Sequence, residues 1–135
     1  MENDELFTKV RDLKLSSSKY ILFGSAPMGI RGPKVCHDID IVVTEDLWNG
    51  YKNKGWKIKM MPHGSQYLSK EDIELWADWI PGEWNIQKLI AEAEMIKGLP
   101  FVKLAEVVKW EKILGRKKDL EDIVYNRKIF TNEII

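Results

Sequence analysis

Cysteine is nearly absent: Cys36 is the only one in 135 residues, which excludes an intrachain disulfide and any zinc cluster built on cysteines. Net charge is absent too. The 21 Lys and Arg residues balance 21 Asp and Glu, so no overall basic field draws the chain to nucleic acid. No apolar run approaches the ~20 residues a membrane-crossing helix needs, and the N-terminus lacks a signal-peptide pattern. Repeats, low-complexity tracts and clear linkers are missing as well. The expectation from these absences is a cytoplasmic protein with no membrane partner. What is there is ordinary for a globular chain: 44% hydrophobic and 31% charged residues, with a length that fits one domain, 1–135, around one core.

Hydrophobic spacing gives the order of elements. Leu6, Phe7, Val10 and Leu13 recur at helical intervals, predicting a helix over 3–14 that breaks at Ser16–Ser18. Strands are expected over 20–23 and 38–43, joined by a Gly- and Pro-rich loop. Thr44 then has the character of an N-cap for a helix to about Lys52, with Gly55 beyond its end. Trp56–Met60 and Ile73–Ala77 alternate and read as two further strands. Ile86, Leu89, Ile90 and Ala93 predict a helix through about Ile96. Leu104, Val107, Val108 and Leu114 predict another, stopped by Gly115. Leu120, Ile123, Val124 and Arg127 predict a last helix, with Asp119 capping its start.

The chemistry concentrates early. Tyr20–Phe23 is an apolar run entering a turn at Gly24-Ser25, and Asp38-Ile39-Asp40 follows on the next strand. Alternation puts Ile39, Ile41 and Val43 on one face and both aspartates on the other. The two acids are then about 6.6 Å apart at their attachment points, at roughly 3.3 Å per residue. Carboxylates this close repel and raise one pKa unless a cation lies between them. Magnesium suits the pair, because it takes oxygen ligands and leaves positions for phosphate. Gly24 allows a triphosphate to approach the backbone, and Ser25 adds a hydroxyl donor. Taken singly, each motif is more often a polar strand face or a plain turn. In this order, after a predicted strand, they are far more specific.

Phe23-Gly24-Ser25 and Asp38-Ile39-Asp40-Ile41 resemble the signature of the nucleotidyltransferase superfamily that shares its catalytic palm with DNA polymerase beta. Gly115-Arg116-Lys117-Lys118-Asp119-Leu120-Glu121-Asp122-Ile123 is similar to a Gly-Arg-x-Lys-Asp-x-x-Asp segment of its small members, lincosamide and aminoglycoside adenylyltransferase relatives and antitoxin-type proteins among them. The resemblance implies an α+β fold, a small mixed sheet of about four to five strands backed by helices. The palm with its active site would span 1–82, and helices over 83–135 would pack on it. It implies that Gly24 and Ser25 hold the triphosphate, with Arg116 and Lys118 as further phosphate or packing residues. Asp38 and Asp40 would ligate two magnesium ions, and a third acid would come from a later strand.

That strand is Ile73–Ala77, where Ile73, Leu75 and Ala77 share one face and Glu74, Trp76 and Asp78 the other. By position in the family pattern Glu74 is the third acid, although relatives carry Asp; Asp78 is the alternative and Asp72 a more distant one. Asp119 is favoured as a helix-capping acid rather than a contact residue. Relatives often place a lysine one turn before Gly-Arg, where Lys109 and Lys112 bracket Glu111 here. Arg31 and Lys34 lie in the loop, either near the leaving pyrophosphate or in solvent. His37 reads as scaffold. Trp76, Trp79 and Trp84 read first as core, with stacking on a nucleobase or an aromatic acceptor as the other role.

The expected function is transfer of an NMP group from a nucleoside triphosphate, ATP foremost, to an acceptor hydroxyl on a small molecule, a protein or RNA. A homodimer or a toxin-like protein is an expected partner. Nucleic acid is weakly supported, because the C-terminal cations scatter over several helix faces. The alternative is a catalytically silent module of the same fold, regulatory or antitoxin-like.

Overall fold

The computed structural model describes residues 1–30 and 36–129, with side chains to residue 124. The elements run α1 (Asn3–Asp12), β1 (Tyr20–Phe23), α2 (Ala26–Gly29), β2 (Ile39–Val43), α3 (Glu45–Asn53), β3 (Lys57–Met60), β4 (Gln66–Lys70), β5 (Ile73–Trp76), α4 (Ile86–Ala91), β6 (Glu94–Ile96), β7 (Leu99–Phe101), α5 (Leu104–Leu114) and α6 (Lys117–Ile129). The seven strands form one mixed sheet in the order β3-β4-β5-β2-β1-β7-β6. Pairing is antiparallel except for β2 with β5 and β1 with β7, which are parallel.

Both faces of the central strands are buried, which is why β1 is apolar at all four positions. Tyr20, Leu22, Ile39, Ile41, Val43, Ile73, Leu75 and Phe101 pack on one face with Leu6, Phe7 and Val10 of α1 and Trp48 of α3. Ile21, Phe23, Val42, Trp76 and Trp79 pack on the other with Met28 of α2, Leu89 of α4, and Leu104 and Val107 of α5. Phe23 is the centre of the second layer: Trp79 stacks on its ring at 4.5 Å, and Trp84 and Trp110 meet it edge-on at 5.4 and 5.6 Å.

The sheet is larger than the four to five strands expected, for two local reasons. Gln66–Lys70 carries a single strong apolar residue, Leu68, which is fully buried, so its polar neighbours hide a strand that fills the space between β3 and β5. The helix expected through Ile96 ends instead at Ala91. Lys97 and Gly98 both take positive φ, 49° and 84°, which is the conformation of a tight two-residue hairpin turn. Ile96 pairs with Leu99 across it, and β7 lies along β1. The segment after residue 83, expected to be helical, therefore adds a hairpin to the sheet. Elsewhere, Gly115 ends α5 in the left-handed conformation at φ 64°, as its position implied. Among the described residues no helix is long and apolar enough to cross a membrane.

Candidate active site

The site begins where β1 runs out. Gly24 turns the chain at φ 66°, and a Cβ added there would fall on the Asp40 carboxylate, 3.0 Å from its Cγ. Only glycine lets the turn and the acid share this space. Ser25 follows, at the start of the short α2. Its hydroxyl donates to Cys36 Sγ at 3.4 Å, and the thiol donates to the Asp38 carbonyl at 3.0 Å. The Gly24-Ser25 turn is thus tied to the loop that carries Asp38. Burial pushes the Cys36 thiol pKa up.

Register then assembles the acids. Phe23 of β1 is opposite Asp40 of β2, and Asp40 is opposite Glu74 of β5. Asp40 and Glu74 therefore sit side by side on one face, and their carboxyl groups hydrogen-bond. Burial, followed by the bond to Glu74 and its charge, pushes Asp40 up to about 8; the Trp76 indole, donating to Asp40 Oδ1 at 3.3 Å, works the other way. Asp38 lies one residue before β2, exposed, in a cavity wall that also includes Gly24, Ser25, Asp40, His37 and Lys118.

Two cavities meet at Asp40, Trp110 and Arg116, which line both. One, of about 620 Å³, is the polar half just described. The other, of about 710 Å³, has Glu74 on its wall and is otherwise largely aromatic and aliphatic, with Tyr67, Trp76, Trp79, Ile80 and Pro81. Asp38, Asp40, Glu74, Gly24, Ser25, Arg116 and Lys118 all line this double cleft. Asp78 does not; its carboxylate caps the Trp79 amide at 2.8 Å. Asp72 is held by Lys9 of α1. Arg31 and Lys34 lie outside the described residues.

Arg116 is partly committed. Its Nε and Nη2 fork onto the Asp119 carboxylate at 2.6 and 3.1 Å, and its amide donates to the same group at 3.2 Å. Asp119 is 2% exposed, so it organises the start of α6 and orients the guanidinium, leaving the remaining N–H groups of Arg116 for the cleft. Glu111, Asp119 and Asp122 also converge, with carboxylate oxygens within 4.8 Å of one another. Glu111, Asp122, Trp110 and Tyr67 are site-lining residues that the sequence reading did not single out. For Asp119 and Asp122 the signal was their i,i+3 spacing on one helix face; for Trp110 it was Leu114 one turn on, which lines the same cavity. Tyr67 lay in the strand that went unread.

No family model, curated protein or solved structure matches the chain.

Proposed function

We propose that the chain is a metal-dependent nucleotidyltransferase that moves an NMP group from a nucleoside triphosphate, ATP foremost, to an acceptor hydroxyl. The observation that carries this reading is the Asp40–Glu74 pair, two acids pressed together on adjacent parallel strands, with burial and the Glu74 neighbour pushing the Asp40 carboxyl up. Asp38, exposed on the wall of the adjoining cavity, completes an all-oxygen donor set only by turning toward them, and a hard divalent cation suits such a set. Asp38, Asp40 and Glu74 would hold magnesium, two ions in a full site. Magnesium, when bound, supplies charge neutralisation on the attacking and leaving oxygens.

The chain's own residues do the rest. Gly24 admits phosphate oxygens to the backbone, and the Ser25 hydroxyl and the Lys118 ammonium bind them. The acceptor oxygen attacks the α-phosphorus, forming a new O–P bond. The bond from that phosphorus to the oxygen bridging the β-phosphate breaks, and pyrophosphate leaves with the electron pair. The hydroxyl proton passes to the Glu74 carboxylate. Positioning and charge stabilisation account for most of such a rate enhancement.

A second reading is a catalytically silent module of antitoxin-like or regulatory type. One observation favours it: five carboxylates, Asp38, Asp40, Glu111, Asp119 and Asp122, line the polar cavity against Arg116 and Lys118. Calorimetric titration of magnesium-ATP and magnesium-GTP into wild type and Asp38→Asn/Asp40→Asn protein separates the two. The enzyme reading expects magnesium-dependent binding that the double variant loses. Folded wild type that binds neither triphosphate refutes it and turns the search to protein partners.

A further inference from the structure

The aromatic cavity has a property that core packing does not explain. Tryptophans on this face find partners for their indole N–H groups: Trp76 donates to Asp40, Trp84 to the Pro81 carbonyl at 2.9 Å, and Trp110 to the Ile80 carbonyl at 2.9 Å. Trp79 is the exception. It is 3% exposed, it lines the cavity, and its indole N–H has no acceptor among the described residues. A buried donor left unmade costs about 1–3 kcal/mol; the Trp79 nitrogen itself is closed off from solvent, so a ligand removes that cost by shifting the ring walls enough to bring an acceptor atom to it.

The walls say what kind of ligand. Trp76 stands at 76° to Trp79 with ring centres 5.4 Å apart, and Trp110 is tilted against Trp79 at 5.3 Å. Tyr67 stacks on Trp76 at 4.5 Å. These are flat, apolar surfaces around about 710 Å³, a volume that suits a small molecule. The one fixed cation on the wall is Arg116, already forked onto Asp119, and the other basic side chain there is His63. A flat ring is favoured there over a polyanion. Glu74, the proton-accepting acid, is on this wall, whereas Gly24, Ser25 and Lys118 are on the other cavity's wall.

We propose that the tryptophan-walled cavity is the acceptor site, and that its occupant is a small planar hydroxylated ring compound with a second oxygen that accepts the Trp79 indole N–H. The proposal rests on the nucleotidyltransferase reading for the word acceptor, but the ring site itself does not. The ring lies against Trp76 and Trp110, the Trp79 bond fixes its rotation, and its hydroxyl is presented to Glu74 and Asp40. Transfer then follows the bond changes given above.

The test is a two-dimensional NMR titration of the indole N–H signals of magnesium-loaded wild type. The ring probes are phenol, 2-naphthol and 7-hydroxycoumarin, the last of which carries a carbonyl acceptor. Adenosine and hexauridylate are run beside them. Trp79→Phe identifies the Trp79 signal and keeps an aromatic ring in the core; Tyr67→Ala removes a wall that only the aromatic cavity has. The expected result is a saturable downfield shift of the Trp79 signal with 7-hydroxycoumarin, at least tenfold weaker binding in Tyr67→Ala, and no change in that variant's affinity for magnesium-ATP, because Tyr67 lines the aromatic cavity and not the polar one. A Trp79 shift with adenosine and none with the ring probes overturns the proposal and assigns the cavity to the nucleotide base. The same pattern with hexauridylate assigns it to RNA. No shift with any probe, in protein that still binds magnesium-ATP, also overturns it while leaving the enzyme reading standing. A Trp79 shift with 7-hydroxycoumarin in protein that binds no triphosphate sinks the enzyme reading and keeps the ring site.

Discussion

Asp40→Asn should make the metal-free protein more stable, and increasingly so as pH rises. The folded state holds Asp40 up to about 8 against an ordinary value of 3.8, through burial and the neighbouring Glu74. Below about pH 4 both folded and unfolded chains carry the proton, and the group is neutral with respect to stability. Between 4 and 8 the unfolded chain releases the proton while the folded one keeps it, so stability falls as pH rises. Above 8 the loss is complete and the slope vanishes. At 1.36 kcal/mol per unit the ceiling over about four units is about 6 kcal/mol. Glu74 is only half-buried and can turn away from Asp40, so we expect ~1–3 kcal/mol at pH 8. Asparagine cannot ionise, and the slope disappears.

Urea unfolding followed by tryptophan fluorescence at steps from pH 4 to 8 gives the two stability curves. Their difference isolates this position together with its coupling to Glu74, since the remaining titrating groups are common to both. Magnesium should then act in the opposite sense. A cation bound to wild type at a hundred times its dissociation constant adds ~2.7 kcal/mol, and the asparagine variant should gain much less. A difference curve that stays flat over this pH range would refute the raised pKa of Asp40. Equal stabilisation of both proteins by magnesium would refute Asp40 as a ligand.

Glu74→Gln should shrink the same pH slope without abolishing it, since the amide removes the neighbouring charge while burial, the larger cause, remains, and nucleotidyl transfer should drop by at least ~10²-fold in a radiolabelled-triphosphate assay. Gly24→Ala combines a left-handed backbone, costing ~1–2 kcal/mol for a residue with a Cβ, with displacement of the Asp40 carboxylate. It should lower the melting temperature and weaken magnesium-ATP binding together; an unchanged binding isotherm would show that the turn does not touch the site. Cys36 is 2% exposed with its pKa pushed up by burial, so native protein should react with a disulfide reagent at pH 8 at least ~10-fold more slowly than urea-unfolded protein. Equal rates would mean that the Ser25–Cys36–Asp38 connection is open.

Legibility followed how each segment is buried. β1 and β2 were readable because one is wholly apolar and the other alternates, and because a positive-φ glycine separates strand from helix. α5 was readable for the same reason: a regular apolar stripe closed by Gly115. β4 was not, since one buried leucine among polar residues carries no period. β6 and β7 were misread because Ile90, Ala93 and Ile96 also fit a helical stripe, and only the Lys97-Gly98 turn distinguishes the two. At the site, residue types and spacing in the chain identify the two aspartates. The neighbour relation of Asp40 and Glu74, 34 positions apart, is a product of strand register. The double cavity depends on α5 and α6 reaching back over β1, which no local pattern encodes.

That register is enforced from the other side of the sheet. Ile39, Ile41 and Val43 alternate with the aspartates, and Ile73 and Leu75 flank Glu74; all five are buried in the layer beneath α1 and α3. A slip of β5 by one residue against β2 would turn Ile73 and Leu75 out of that layer and put Glu74 into it. Full burial of one such side chain is worth about 1.5–3 kcal/mol, so the slipped sheet is disfavoured by more than the cost of pressing two carboxyls together. The acid pair therefore persists without a cation to relieve it. The repulsion sits on the face that opens to the cleft, while the packing that holds it sits on the face that does not. On the nucleotidyltransferase reading, a cation arriving from the cleft would meet Asp40 and Glu74 already side by side, and the repulsion between them would be released into its binding.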